Sequence, residues 1–244
     1  MLAAALAVTS VAALTARADD GSIETVGGAV HLMNTHSSVR MVSEKVRARV
    51  TPDLIEVDCE FVMKNEGPAD TVLVGFPDGA IGPYQGGGEE YEIQSFRSWV
   101  DGAEVKCRRI PDAGGIEAIV TSWWTKKVTF PTGGVRKIRD HYTVSPSWHP
   151  NLAGQADSEE VVDRSFQYIL WTGASWKGNI GSADIVATVD GIPLERITGT
   201  TPLAHQSGNS FRWTLRNFEP GSDGAPESIE LSWRLPSEAV EKEN

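Results

Sequence analysis

The segment from Asp53 to Asn65 alternates apolar and polar side chains almost without interruption, and it constrains the fold more than any other part of the chain. One set of alternate residues is apolar: Ile55, Val57, Cys59, Phe61 and Met63. The other set is charged apart from Val62: Glu56, Asp58, Glu60 and Lys64. Because successive side chains of a strand point to opposite faces, the segment is predicted to be a β-strand with one face in a core.

Similar short strand patterns recur along the chain, and turn sequences such as Asp101-Gly102 and Asp190-Gly191 predict hairpins between them. Helical periodicity over ten or more residues is absent from the sequence. The fold class is therefore predicted to be all-β, an antiparallel β-sandwich. The length of 244 residues favours two immunoglobulin-like sandwich halves packed together, at residues 19–112 and 113–236, with an acidic tail at 237–244.

The first eighteen residues have the pattern of a secretory signal peptide. An apolar run from Leu2 to Leu14 precedes Ala16-Arg17-Ala18, a small-x-small cleavage pattern, although no basic segment precedes the run. The run has about 13 residues, fewer than the roughly 20 that span a bilayer. The sequence predicts cleavage before Asp19 and an exported protein, periplasmic or extracellular.

The charge balance narrows the range of partners. The chain has 22 basic and 33 acidic residues and a formal net charge of −11. Such a surface repels nucleic acid and anionic lipid, so neither is expected as a partner. We expect no integral membrane segment after signal cleavage, and an envelope protein or a glycan is the partner class that fits an exported sandwich.

The chain has two cysteines, and both are predicted to face inward. Cys59 lies on the apolar side of its strand, and Cys107 shares the parity of Val105. In an oxidising compartment the two would form a disulfide between residues 59 and 107. The alternative is two buried thiols.

The sequence offers no signature of catalysis, metal or cofactor. Gly-x-Ser-x-Gly and the common zinc motifs are absent. The loop of Gly86, Gly87 and Gly88 is followed by glutamates and lacks the Gly-Lys-Ser/Thr of a phosphate-binding loop. We therefore predict no catalytic residue, no metal ligand and no cofactor.

Two segments are candidates for ligand contact. In the first, Trp171, Thr172, Gly173, Trp176 and Lys177 combine indole rings, a cation and a glycine turn. They predict either a loop that stacks a sugar or peptide, or a structural corner in which Trp176 fills a gap between sheets.

In the second segment, Trp123 and Trp124 are adjacent in a predicted strand and must face opposite sides. One of them is therefore expected to be exposed or to pack against another domain. An exposed tryptophan would provide a flat platform for a carbohydrate.

Three segments resemble an uncharacterised family of exported bacterial proteins, a domain-of-unknown-function family. They are F-V-M-K-N-E-G with V-L-V-G-F-P at 61–67 and 72–77, W-W-T-K-K-V-T-F-P-T-G-G at 123–134, and Y-I-L-W-T-G-A-S-W-K-G-N-I-G at 168–181. The first is also similar to the opening of sandwich modules of the inter-alpha-trypsin-inhibitor type. The resemblance implies a secreted all-β fold and implies no activity.

Two functions follow from these observations. The first is a non-catalytic, exported β-sandwich that acts as a binding or structural module of the cell envelope. The second is a carbohydrate-active module, binding or hydrolytic, that uses exposed tryptophans and acidic loops.

Overall fold

The computed structural model describes residues 24–33, 38–81, 93–112, 120–150 and 161–236. These residues form seventeen β-strands and two short 3-10 helices. The strands of the first part of the chain are β1 Glu24–Gly28, β2 His31–Leu32, β3 Val39–Val50, β4 Ile55–Asn65, β5 Asp70–Ile81, β6 Ser95–Val100, β7 Ala103–Val105 and β8 Arg108–Pro111. The remaining strands are β9 Ser122–Phe130, β10 Val135–Val144, β11 Ser147–Pro150, β12 Val161–Ile169, β13 Ile180–Val189, β14 Ile197–Thr201, β15 His205–Ser207, β16 Ser210–Phe218 and β17 Ser228–Pro236. The 3-10 helices are Trp171–Ser175 and Leu194–Arg196.

The strands form two sheets that enclose one large apolar core, which confirms the predicted all-β sandwich. The nine-stranded sheet has the order β14-β17-β12-β1-β5-β9-β8. Its two remaining strands pair outside this order, β11 with β12 and β2 with β5. The eight-stranded sheet has the order β15-β16-β13-β3-β4-β10-β6-β7. Most neighbouring strands are antiparallel, and the core takes buried side chains from both sheets.

Strand β4 has the predicted two-faced character. Every residue of its apolar set is buried, whereas Glu56, Glu60 and Lys64 are exposed. The strand pairs with β3 on one side and with β10 on the other, so it lies in the middle of the eight-stranded sheet. Its polar residues therefore form part of the outer face of that sheet.

Strands from both sides of residue 112 share both sheets. Strands β9 and β10 pair with β5 and β4 of the first part of the chain. Two parallel pairs also join distant segments, β3 with β13 and β1 with β12. The division into halves at residue 112 stays a prediction. Both sheets and the main core contain residues from before and after that position.

The predicted disulfide is not formed. Cys59 and Cys107 are both free thiols, the first buried and the second partly exposed. Cys59 lies opposite Asp140 on β10, and Asp140 lies opposite Ser98 on β6. Val105, two residues before Cys107, lies on β7, and strands β10 and β6 separate β7 from β4 in the sheet. Residue parity predicted the buried position of Cys59, whereas Cys107 is partly exposed, and parity contains no information on the distance between the two thiols.

Several sequence predictions fall outside the described residues. These are the signal peptide at 1–18, the acidic tail at 237–244 and the glycine-rich loop at 86–88 with its following glutamates. Among the described residues, no helix has the length and apolar character to cross a membrane.

Candidate functional site

The outer face of the eight-stranded sheet is a ladder of charged side chains. Strand β4 contributes carboxylates, and the flanking strands β3 and β10 contribute mainly cations at the facing positions. Asp58 accepts two hydrogen bonds from Arg139 at 2.5 and 2.6 Å and lies 3.1 Å from Nδ1 of His141. These contacts, chiefly the hydrogen bonds of Arg139, lower the pKa of the Asp58 carboxyl. Most of the acidic row is therefore balanced by its neighbours.

A cavity of about 450 Å³ lies on this face beside the β6–β7 hairpin. Asp101 and Gly102 both have positive φ, as a tight two-residue hairpin turn requires, and they place the preceding Trp99 at the rim. The lining residues come from four neighbouring parts of the sheet: Ser43, Lys45, Glu60, Phe61, Val62, Trp99, Gly102, Lys137, Ile138 and Arg139. We refer to this opening as the Trp99 cavity.

Two arginines hold the indole of Trp99 in place. The guanidinium carbons of Arg97 and Arg139 each lie 4.9 Å from its ring centroid. Each guanidinium is in turn fixed by a carboxylate, Arg97 by Glu104 at 2.9 and 3.0 Å and Arg139 by Asp58. Cation–π contacts of this kind favour one ring orientation, so the partly exposed indole is pre-organised.

The lysines of the cavity differ from the other charges on this face. Lys45 and Lys137 are exposed, and neither forms a side-chain ion pair with any described residue. Glu60 is the single carboxylate among the lining residues. The Trp99 cavity therefore combines an apolar ring with excess positive charge, in a chain whose net charge is −11.

A second opening of about 470 Å³ on the same face makes the contrast clear. Its charged lining residues include Arg49 and Asp190, which form an ion pair at 2.5 Å. Asp58 is also part of this lining and is already bound by Arg139. Charged groups that already form ion pairs with each other interact only weakly with a ligand. We therefore regard the Trp99 cavity as the candidate site.

The segment from Trp171 to Lys177 folds as a tightly bonded corner. Thr172 donates its hydroxyl to the carbonyl of Ala29, and Nε1 of Trp176 donates to the carbonyl of Val30 at 2.6 Å. Gly173 is buried where an added Cβ would lie 2.9 Å from Ile180. These groups attach the 3-10 helix to the segment between β1 and β2 of the nine-stranded sheet, which agrees with the structural alternative for this segment.

The other members of that segment are placed differently. Trp171 is partly buried against Trp123 and Ile169, on the outer side of the nine-stranded sheet. Lys177 is half-exposed and forms an ion pair with Glu66 at 3.0 Å. The segment therefore does not present its indoles and its cation to one open groove.

Trp123 and Trp124 face opposite sides of β9, as their adjacency predicts. Trp123 is fully buried, lies against His31 with ring centroids 4.9 Å apart, and donates its Nε1 hydrogen to Asp112 at 2.9 Å. Trp124 points toward the core and stacks on Phe96 at 5.3 Å. Trp123 therefore offers no exposed platform, whereas Trp124 stays partly exposed although it packs against the core.

The sequence analysis did not select Trp99, although two signals point to it. Trp99 has the parity of Ser95 and Arg97, so it falls on the polar side of β6. Val62, the one break in the alternation of β4, lies on the outer face and lines the same cavity. Two apolar residues on the polar faces of neighbouring parts of a sheet indicate a candidate binding surface.

The described residues contain no group of three or more histidine, cysteine, aspartate or glutamate side chains arranged to hold a metal ion. The lining of the Trp99 cavity consists of cations, an indole, small apolar groups and one carboxylate. Groups of these kinds can interact with a ligand through charge and stacking, and they provide no metal-binding set.

Comparison with known proteins adds information on the fold. A candidate nutrient-binding protein from Legionella pneumophila has a TM-score of 0.60 and 18% identity, over 88% of this chain and 71% of its own. At that identity the likeness shows a shared fold alone. No protein-family model and no curated protein matches the sequence.

Weaker likenesses occur to a hydrolase and to a zinc metallopeptidase. Leukotriene A4 hydrolase from Saccharomyces cerevisiae gives a TM-score of 0.44 at 8% identity, over 83% of this chain and 30% of its own. An M1 zinc metallopeptidase from Deinococcus radiodurans gives 0.36 at 8% identity, over 82% and 43%. This chain spans less than half of either protein, and likeness at this level supports no argument about its function.

Proposed function

We propose that this protein is an exported, non-catalytic binding module that takes a small organic anion with a flat apolar face in the Trp99 cavity. The observation that carries the proposal is the presence of a fixed indole and two unpaired lysines in one opening. Export rests on the signal-peptide pattern of the first eighteen residues. The nutrient-binding description of the Legionella pneumophila structure is consistent with this class of function.

The lining supplies complementary interactions for such a ligand. The anionic group would approach Lys45 and Lys137, and the flat face would stack on Trp99. Exposed charge pairs contribute about 0–1 kcal/mol each and aromatic stacking about 1 kcal/mol beyond its area. A few kcal/mol in total corresponds to a Kd on the order of 1 mM, lower if the ligand is more deeply enclosed.

A carbohydrate ligand is the second candidate, because the partly exposed indole suits a sugar face as well as any other flat group. An acidic sugar satisfies both proposals, and a neutral sugar satisfies only the second. Matched pairs of compounds that differ in one carboxylate therefore separate the two candidates.

Calorimetric titration with galacturonate against galactose, and with benzoate against benzyl alcohol, provides the test. We expect both anions to bind and both neutral compounds to bind at least tenfold more weakly. Equal binding of the two sugars would favour the carbohydrate candidate. Failure of all four compounds at tens of millimolar would overturn the proposed site.

Substitutions of the lining residues test whether the anion binds in the Trp99 cavity. Replacing Lys45 and Lys137 together by methionine keeps the apolar stems and removes the charge, and it is expected to abolish the preference for anions. Lys64→Met removes an exposed lysine from the same strand face outside the lining and is expected to leave binding unchanged.

A further inference from the structure

One ion pair crosses the sandwich with both of its groups almost completely buried. Lys126 on β9 places Nζ 2.5 Å from Oδ1 and 2.7 Å from Oδ2 of Asp140 on β10. The side-chain exposures are 1% for Lys126 and 0% for Asp140. Strand β9 belongs to the nine-stranded sheet and β10 to the eight-stranded sheet, so this contact connects the two layers.

The surroundings of the pair provide little compensation for the buried charges. Nζ of Lys126 has no hydrogen-bond partner other than Asp140 among the described residues. The ring of Phe96 lies 5.6 Å from it. An ammonium group has three donors, and a carboxylate facing only one cation in an apolar interior is poorly solvated. A neutral link between these two side chains would remove both charges from the core.

We propose that Lys126 and Asp140 condense into an intramolecular isopeptide bond that joins the two sheets covalently. A proton passes from the Lys126 ammonium to the Asp140 carboxylate, which leaves a neutral amine and a neutral carboxylic acid. The amine lone pair attacks Cγ, an N–C bond forms, and the C–O bond to the departing hydroxyl breaks. The hydroxyl leaves with a proton from the nitrogen as one water, so no oxidant, reductant or activating co-substrate is required.

The geometry favours this reaction. A nitrogen in contact with both carboxylate oxygens lies about 3 Å from the carboxyl carbon, within reach for attack once the Asp140 carboxyl rotates its face toward the nitrogen. Strand β9 is held between β5 and β8, and β10 between β4 and β6, so neither side chain has a mobile backbone. Ser98 lies directly opposite Asp140 in the ladder, and its side chain is buried beside the pair.

Mass spectrometry of the purified, folded protein tests the proposal. After denaturation and reduction, the intact mass is expected to lie one water below the mass calculated for the same N-terminus. Proteolysis is expected to give a branched peptide that joins residue 126 to residue 140. An intact mass equal to the calculated mass, without the branched peptide, would overturn the isopeptide bond.

Variants exclude water loss at another position. Lys126→Met lacks the nucleophile and Asp140→Leu lacks the carboxyl, so each variant is expected to have its full calculated mass. If either single variant fails to fold because one charge is left buried, the double variant replaces the pair by apolar groups of similar size and is expected to fold. A double variant that still lost one water would show that the modification lies elsewhere and would also overturn the proposal.

Discussion

Tyr168 on β12 donates its hydroxyl proton to Oε1 of Glu44 on β3, at 2.5 Å, across the middle of the sandwich. The two residues are 124 positions apart, and both are buried. Burial raises the pKa of Glu44 to about 7, with the hydrogen bond from Tyr168 acting in the opposite direction. The second carboxyl oxygen, Oε2, is buried without a hydrogen-bond partner. Glu44 is therefore a core acid that titrates near neutral pH.

This group predicts that stability decreases as pH rises from about 4.5 to about 7. In that window the folded state holds a proton on Glu44 that the unfolded state has already released, so raising the pH favours unfolding. A shift from 4.5 to about 7 corresponds to about 3 kcal/mol, and above pH 7 the contribution of this group is constant. Urea unfolding at pH 5 and pH 8 measures the difference.

Glu44→Gln supplies the comparison for that measurement. The amide keeps an acceptor for Tyr168 but cannot titrate, so the free energy of unfolding should change less between the two pH values than in the parent. Glu60→Gln on the exposed face is the matched control and should retain the parent pH dependence. The same pH dependence in the parent and in Glu44→Gln would contradict the role assigned to this carboxyl.

The free cysteines predict a specific thiol count. Protein purified without reductant and then denatured should show two reactive thiols. A count of zero reactive thiols would instead support the disulfide between residues 59 and 107. In the folded protein, burial raises the pKa of Cys59 well above its ordinary value and also raises that of Cys107. Since the thiolate is the reactive form, only the partly exposed Cys107 should react, more slowly than a free thiol, and Cys107→Ser should remove that reaction.

The corner at Trp171–Ser175 predicts a packing defect when Gly173 is enlarged. A Cβ there would lie 2.9 Å from Cδ1 of Ile180 and 3.3 Å from Cβ of Ala29. Overpacking of this kind costs about 1–3 kcal/mol, so Gly173→Ala should lower the denaturant midpoint without changing anion binding. Gly199→Ala is the control, because nothing lies within 4 Å of its added Cβ. Loss of anion binding in a folded Gly173→Ala protein would show that the corner takes part in the site.

Local features of the fold could be predicted from sequence because they depend on local physics. The alternation at residues 53–65 gave the strand, its inward face and the buried position of Cys59, since side-chain direction follows from the strand period alone. Asp101-Gly102 gave the β6–β7 hairpin, because both positions adopt positive φ.

Long-range features could not be predicted in the same way. Asp190-Gly191 also predicted a hairpin, but the chain leaves the eight-stranded sheet after Val189 and next joins the nine-stranded sheet at β14. The parallel pairing of β3 with β13 brings together segments more than a hundred residues apart, and the period of a strand contains no information on its partner. For the same reason, sequence could not show that Trp123 and Trp176 would be covered, or that Trp99 would meet two unpaired lysines.

The most direct test of the proposed function is the response of the Trp99 indole to a matched pair of compounds. The amide and indole resonances can be followed by NMR, with Trp99→Phe used to assign the Trp99 signal. We predict that galacturonate shifts the Trp99 indole resonance in a saturable way, that galactose shifts it far less, and that the buried Trp123 resonance does not move. A Trp99 resonance unmoved by galacturonate, or a saturable shift confined to another tryptophan, would contradict the assignment of this cavity as the binding site.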